Sequence, residues 1–218
     1  SQGHCFKCFK TKAECDLCIM KPETCHYHLD TCREDEFAHS VCFQPHIVYL
    51  ANSSALKIGI TRIVNMPTRW LDQGATQALP ILKVGSRRLS GHLETLIGTQ
   101  IADKTDWRKL LKGEAEPLNL IEQRDQILEE FAPKIQTIRD EFSQNLEFDE
   151  NLEFLENELP REFIYPVEQY PEKIKSLNLD KTPKIRGVLK GIKGQYLLLD
   201  IGVINIRKYT GYELILRA

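Results

Sequence analysis

Seven cysteines stand in the first fifth of this 218-residue chain, at Cys5, Cys8, Cys15, Cys18, Cys25, Cys32 and Cys42. Cys5 and Cys8 form one Cys-x2-Cys, and Cys15 and Cys18 another. Two thiolates at that spacing on a tight turn can both reach one tetrahedral zinc at about 2.3 Å. The ligands that complete Cys15 and Cys18 are expected among Cys25, His26, His28 and Cys32, as four thiolates or as three with an imidazole. Cys5 and Cys8 have two possible sets of partners. One is an upstream Cys-x2-Cys, because the chain opens at Ser1 almost inside a Cys motif; the other is Cys42 with His39 or His46, which would tie the head to the core. Zinc is expected to be structural here, since the segment has almost no apolar residues with which to fold alone.

The elements behind this head are those of a small α+β fold. With 42% apolar residues the chain can build one good core and smaller appendages. Ile47 to Ala51 and Leu56 to Thr61 are short β-branched runs joined by Asn52-Ser53-Ser54, which predicts a hairpin. Asn65 and Pro67 open a short helix that Gly74 ends. Ala78 to Val84 reads as a third strand. From Arg87 to Ala102, Leu89, Leu93, Leu96, Ile97 and Ile101 recur at helical spacing, which places Glu94 on a helix packed against the sheet. Residues 106–111 add a further helix. Trp70 and Trp107 are expected as core filler.

The blocks VYLA, KIGIT, PTRW and HLETL follow one another in residues 46–94 and together resemble the GIY-YIG nuclease superfamily, in its short branch whose second motif reads KIG. The resemblance covers about a third of the chain. It implies an active site of Tyr49, Arg69 and Glu94 and metal-assisted cleavage of phosphodiester bonds. The residue types suit that chemistry. A carboxylate can hold a divalent Mg or Mn, a guanidinium can steady the charge of the transition state, and a phenol can help remove a proton from water. Ile47-Val48 replaces the usual Gly-Ile, and Lys57 stands where a second Tyr is usual, so phosphate affinity is retained while proton transfer is weakened. Arg62, Arg69, Arg87, Arg88 and Lys57 are expected to crowd toward one end of the sheet. The blocks CDLCIMKPETCHYH, TCRE, VYLANSSALKIGITR, PTRWLDQGATQALPI and DKTDWRKLLKG also resemble, over most of the chain, an uncharacterised bacterial family. That resemblance implies a Cys-rich head, a GIY-YIG-like core and a basic β tail in this order, with an extra Cys-x2-Cys ahead of Ser1.

Leu118 to Phe142 predicts a long helix, kinked at Pro133, that bridges two domains. The acidic run behind it could cover a groove or mimic phosphate; residues 140–160 hold eight acids and no Lys or Arg. From Lys181 to Arg217 the balance reverses, with eight basic residues against Asp200 and Glu213. β-rich runs broken by glycines predict a small antiparallel sheet or barrel there. Lys190, Lys193, Arg207 and Lys208 are candidate contacts to a nucleic-acid backbone, and Tyr196, Tyr209 and Tyr212 either stack bases or pack. The expected organisation is a zinc-binding head (1–45), a GIY-YIG-like core (46–113), a helical and acidic linker (114–160) and a basic β module (161–218). No apolar run is long enough to span a membrane. The clustered cysteines and the lack of a secretory leader suggest a reducing cytoplasm. Three functions remain: a metal-dependent endonuclease, a non-catalytic binder of DNA or RNA, and a zinc-stabilised scaffold for a protein partner.

Overall fold

The computed structural model describes residues 3–101, 106–143 and 151–217. The head holds helix α1 (Phe6–Thr11), a series of single 3-10 turns, and helix α2 (Asp35–Phe37), which runs on into a π-turn at Ala38–Cys42. Of its described residues only Ala13, Pro22 and Ala38 are buried. Polar clamps replace an apolar core. Glu34 accepts hydrogen bonds from Lys12 Nζ and from the Ala13 backbone, both at 2.7 Å. Arg33 pairs with Asp16 at 2.6 Å and donates to the carbonyls of Phe9 and Lys12.

The expected hairpin is present as β1 (His46–Asn52) and β2 (Leu56–Arg62). Strand β3 (Gln77–Val84) pairs antiparallel with the other side of β1, and the short strands β4 (Leu152–Phe154) and β5 (Arg161–Glu162) pair with β3. Helices α3 (Thr68–Asp72), α4 (Arg87–Ile97), α5 (Trp107–Leu110) and α6 (Leu120–Ser143) surround this sheet. β1 is central and buried along its whole length. Its side chains alternate between two apolar clusters, as the two-residue period of a strand requires. Val48 and Leu50 join Leu89, Leu93 and Ile97 of α4, whereas Ile47, Tyr49 and Ala51 join Trp70 of α3. Trp70 is the core filler its sequence context suggests. The β1–β3 register shifts between Val48 and Tyr49, so that Tyr49 lies opposite Pro80. Pro80 has no N–H to give a ladder, and β4 and β5 pair with β3 on either side of it. The extra residue at this shift, Ile81, lies on β3, so the alternation along β1 is undisturbed.

α6 retains Pro133 within its 24 residues. Leu120, Ile127, Leu128, Phe131 and Ile135 belong to the same cluster as Val48 and Leu50. The helix expected to bridge two domains therefore packs directly on the core sheet. Residues 144–150 of the acidic run lie outside the described residues, and β4 from its second half extends the sheet.

The tail contains the expected small antiparallel sheet, in the order β6 (Leu189–Lys193), β7 (Tyr196–Leu199) and β8 (Gly202–Asn205). It meets the core through α5, where Leu110 and Leu111 cluster with Leu198 and Val203. Trp107 stacks on Tyr196 with centroids 6.2 Å apart. Tyr209 is buried and its hydroxyl accepts the N–H of Leu179, so two of the three tail tyrosines pack rather than face outward. Lys193 is a correction to its sequence assignment as a nucleic-acid contact. It is fully buried, its Nζ donates to the Gly113 carbonyl at 2.8 Å, and the rings of Tyr165 and Tyr170 flank it. A lysine enclosed in this way secures the tail sheet to the α5–α6 connection and is out of reach of a phosphate.

Candidate functional site

Tyr49 is positioned by a glycine. Tyr49 and Gly59 are register partners in the β1–β2 hairpin, and a Cβ at position 59 would come within 2.7 Å of the phenol ring and its hydroxyl. The Gly of Lys57-Ile58-Gly59 thus leaves the space in which the tyrosine lies. Gln73, at the end of α3, donates from Nε2 to the Tyr49 hydroxyl at 2.7 Å. Burial pushes the Tyr49 pKa up, and the charge of Glu94 adds to this; the neighbouring Arg69 charge and hydrogen bonds from Gln73 and Arg69 oppose it. The phenol therefore stays protonated at neutral pH, with Arg69 and Glu94 both within electrostatic reach.

These groups line one cleft of about 800 Å³ together with Lys57, Arg62, Gln73 and Arg87. Arg87 and Glu94 are two helical turns apart and so share a side of α4. Arg87 is largely buried and its Nη2 donates to the Ile19 carbonyl at 2.6 Å. Burial lowers its pKa, while the acidic groups of Cys42, Glu94 and Cys18 favour its charge. Among the described residues, Gln73 Oε1 and Arg87 Nε are buried atoms with no hydrogen-bond partner. The lining also includes Ile19, Met20, Phe37 and Val41 of the head and Val64 after β2. The head can approach because residue 91 is a glycine: a Cβ there would meet Pro22 at 2.6 Å and the Glu23 nitrogen at 2.8 Å.

The structure brings Tyr49, Lys57, Arg62, Arg69, Arg87 and Glu94 into this one cleft, and Arg207 reaches its rim from the tail, 3.9 Å from Asp72. Arg88 is turned toward α6, 5.0 Å from the Phe142 ring, and does not line the cleft. Lys208 is exposed and Lys190 half-buried, both away from the cleft. Sequence reasoning missed Gln73. Its signal was its place one turn after Arg69 on the same short helix, the spacing at which two side chains share a face.

Four of the seven cysteines gather around one cavity. Cys18, Cys25, Cys32 and Cys42 line one small cavity with Asp16 and His26. Burial, then the neighbouring Asp16, Cys25, Cys42 and Cys32, push the Cys18 thiol up to about 12. Burial chiefly raises Cys42 to about 11, with Cys25 and Cys32 again among the groups it feels. Cys8 is raised by a hydrogen bond with Cys5 and by the charge of Cys5, and further by the charge of Cys15. Cys42 lines the same cavity as Cys18. His28 is exposed and does not line the cavity; the imidazole that does is His26. His39 lies exposed beside Tyr27 and Asp35, while His46 is buried with Nδ1 2.6 Å from the Gln44 carbonyl oxygen. Among the described residues, ligand atoms of Asp16, Cys18 and His26 converge within 4.8 Å of one another, a group compatible with a metal such as zinc.

Residues 1–214 match the family model described as "Protein of unknown function (DUF2797)". The chain belongs to the DUF2797 family. No curated protein and no solved structure matches it. Among the described residues of this DUF2797 chain, no helix is long and apolar enough to cross a membrane.

Proposed function

We propose that the chain is a zinc-stabilised, metal-dependent phosphodiesterase acting on DNA or RNA, with a core of the GIY-YIG kind. The observation that carries this reading is the convergence of Tyr49, Arg69 and Glu94, from a strand and two separate helices, on one cleft that also holds Lys57, Arg62 and Arg87. That convergence is what the resemblance of VYLA, KIGIT, PTRW and HLETL to GIY-YIG nucleases implies. A divalent ion such as Mg or Mn held by Glu94 would supply Lewis-acid activation of phosphate and water. Arg69 binds the phosphate and offsets charge as it builds, with Arg62 and Arg87 holding the flanking backbone. Tyr49 acts as a phenol. Its hydroxyl accepts from Gln73 and retains its own proton, which its raised pKa keeps in place.

In the head, Cys18, Cys25, Cys32 and Cys42 would hold one zinc, with Asp16, His26 and Arg33 in the surrounding shell. The donor set fits. Four thiols line one cavity, and burial, then the charges of Asp16 and the other three cysteines, raise Cys18, a situation that a divalent cation relieves. Cys5, Cys8 and Cys15 supply three thiols toward a second zinc. Zinc would contribute the folding free energy that the head's few buried residues cannot. Seven free thiols suit a reducing compartment such as the cytoplasm.

The alternative is a binder that retains the nuclease fold without cutting, and Lys57 in place of the second tyrosine favours it. Zinc-loaded protein and its Glu94→Gln variant, incubated with labelled DNA and RNA in Mg or Mn buffer, decide between them. Cleavage by the first and not the second is expected. Salt-sensitive binding by both with no cleavage by either would retain the binder and sink the nuclease. Absence of any salt-sensitive binding would sink both and leave a scaffold for a protein partner.

A further inference from the structure

The cleft lining combines two chemistries. It holds the cations Arg62, Arg69 and Arg87 beside Asp72 and Glu94, and it also holds Ile19, Met20 and Phe37 of the head. Met20 is 73% exposed, so its thioether is open to a ligand in the cleft. The hydrogen bond from Arg87 to the Ile19 carbonyl sets this apolar stretch of the head beside the cations. A ligand that satisfies both must be anionic at one end and flat and apolar-faced at the other. A nucleotide with an unpaired base has that form. In a duplex the base faces are stacked inside and only backbone and groove edges are offered, so the apolar stretch would bury nothing. At about 800 Å³ the cleft falls within the size range of small-ligand sites and admits a nucleotide or two rather than a double helix.

We infer that the cleft takes single-stranded nucleic acid, one unpaired nucleotide at a time, with its phosphate on Arg62, Arg69 and Arg87 and its base against Met20, Ile19 and Phe37. This rests on the proposed nucleic-acid reading and narrows its substrate class. Base contacts through flexible Met and a Phe are tolerant of sequence, so selection is for an exposed base rather than for its identity. The head is then part of the site as well as a folding unit.

The test is fluorescence anisotropy with the full zinc-loaded chain, free of Mg and Mn to prevent cleavage. The probes are a ten-residue oligo-dT, an oligo-U of the same length, an abasic phosphodiester ten-mer and a blunt duplex. The expected result is that the single strands bind about tenfold or more tighter than both the abasic strand and the duplex. Met20→Ser should lower single-strand affinity several-fold and leave abasic affinity unchanged; because Met20 is exposed, the variant is expected to fold. The ratio of oligo-U to oligo-dT assigns the source as RNA or DNA. Equal binding of abasic and base-bearing strands, or a Met20→Ser loss common to both, would overturn the inference while leaving the nucleic-acid reading intact. No salt-sensitive binding of any probe would overturn both.

Discussion

Two side chains show how single positions set the properties of the core. Gly59 lies under Tyr49, and a methyl group there would meet the phenol at 2.7 Å. Gly59→Ala is therefore expected to displace the ring and cost about 1 to 3 kcal/mol through overpacking. Urea unfolding measures that cost, and an unchanged midpoint would show that the ring moves freely. His46 is fully buried, and desolvation lowers its pKa to about 4, with the charges of Arg87 and Arg62 acting in the same direction. Above about pH 6.5 the imidazole is neutral in both folded and unfolded chains and contributes no pH dependence. Below that, the unfolded chain takes up a proton that the folded one refuses until about pH 4. Stability should accordingly fall by about 1.4 kcal/mol per pH unit through this window, some of it shared with other groups. The difference between wild type and His46→Gln isolates the histidine. If both lose stability in parallel from pH 6.5 to pH 4.5, His46 does not refuse the proton.

At the level of elements, α6 carries the sharpest contrast between a sequence pattern and its use. Phe131 and Ile135 are almost wholly buried against the cluster that contains Val48 and Leu50. Phe131→Ala is expected to cost about 3 to 5 kcal/mol of global stability. A helix that merely linked two units would lose helicity locally and leave the β-sheet melting point unmoved, which circular dichroism and thermal unfolding would distinguish. The apolar spacing of α6 was legible, but a stripe on a helix specifies only that something covers it, not what. The hairpin β1–β2 and the positions of Arg69 and Glu94 were legible for a stronger reason, because alternation, turn residues and helical period agree there on one answer. β4 and β5 were not, since strands of three and two residues carry no readable period and exist because β3 offers its edge. The place of Cys42 was hidden in the same way. It stands ten residues after Cys32, beyond any ligand spacing the sequence shows, yet lines one cavity with Cys18, Cys25 and Cys32. The buried Lys193 shows that a positive charge in a basic run does not by itself mark a surface.

Across the whole molecule, two kinds of cohesion meet at α4. The two clusters that hold β1 through α3, α4 and α6 contain no residue from the head. The head has instead its polar clamps and its thiols, and it touches α4 through Pro22 on Gly91 and through Arg87. Its folding and that of the sheet are therefore separable, with the metal acting on one of them. With Cys18 raised to about 12 and Cys42 to about 11, those thiols are protonated at neutral pH when no cation is bound, so metal uptake must release protons. Zinc titration of chelated protein in weak buffer with an indicator dye should show that release, and Cys42→Ser should reduce it. Chelation should then raise hydrogen exchange through residues 3–45 while β1 and β3 retain their protection. Gly91→Ala, which pushes Pro22 away from α4, should loosen the same segment even with metal present. A single transition in which head and sheet lose protection together would refute the separation, and would mean that the contacts at Gly91 and Arg87 carry more of the core's stability than the apolar clusters indicate.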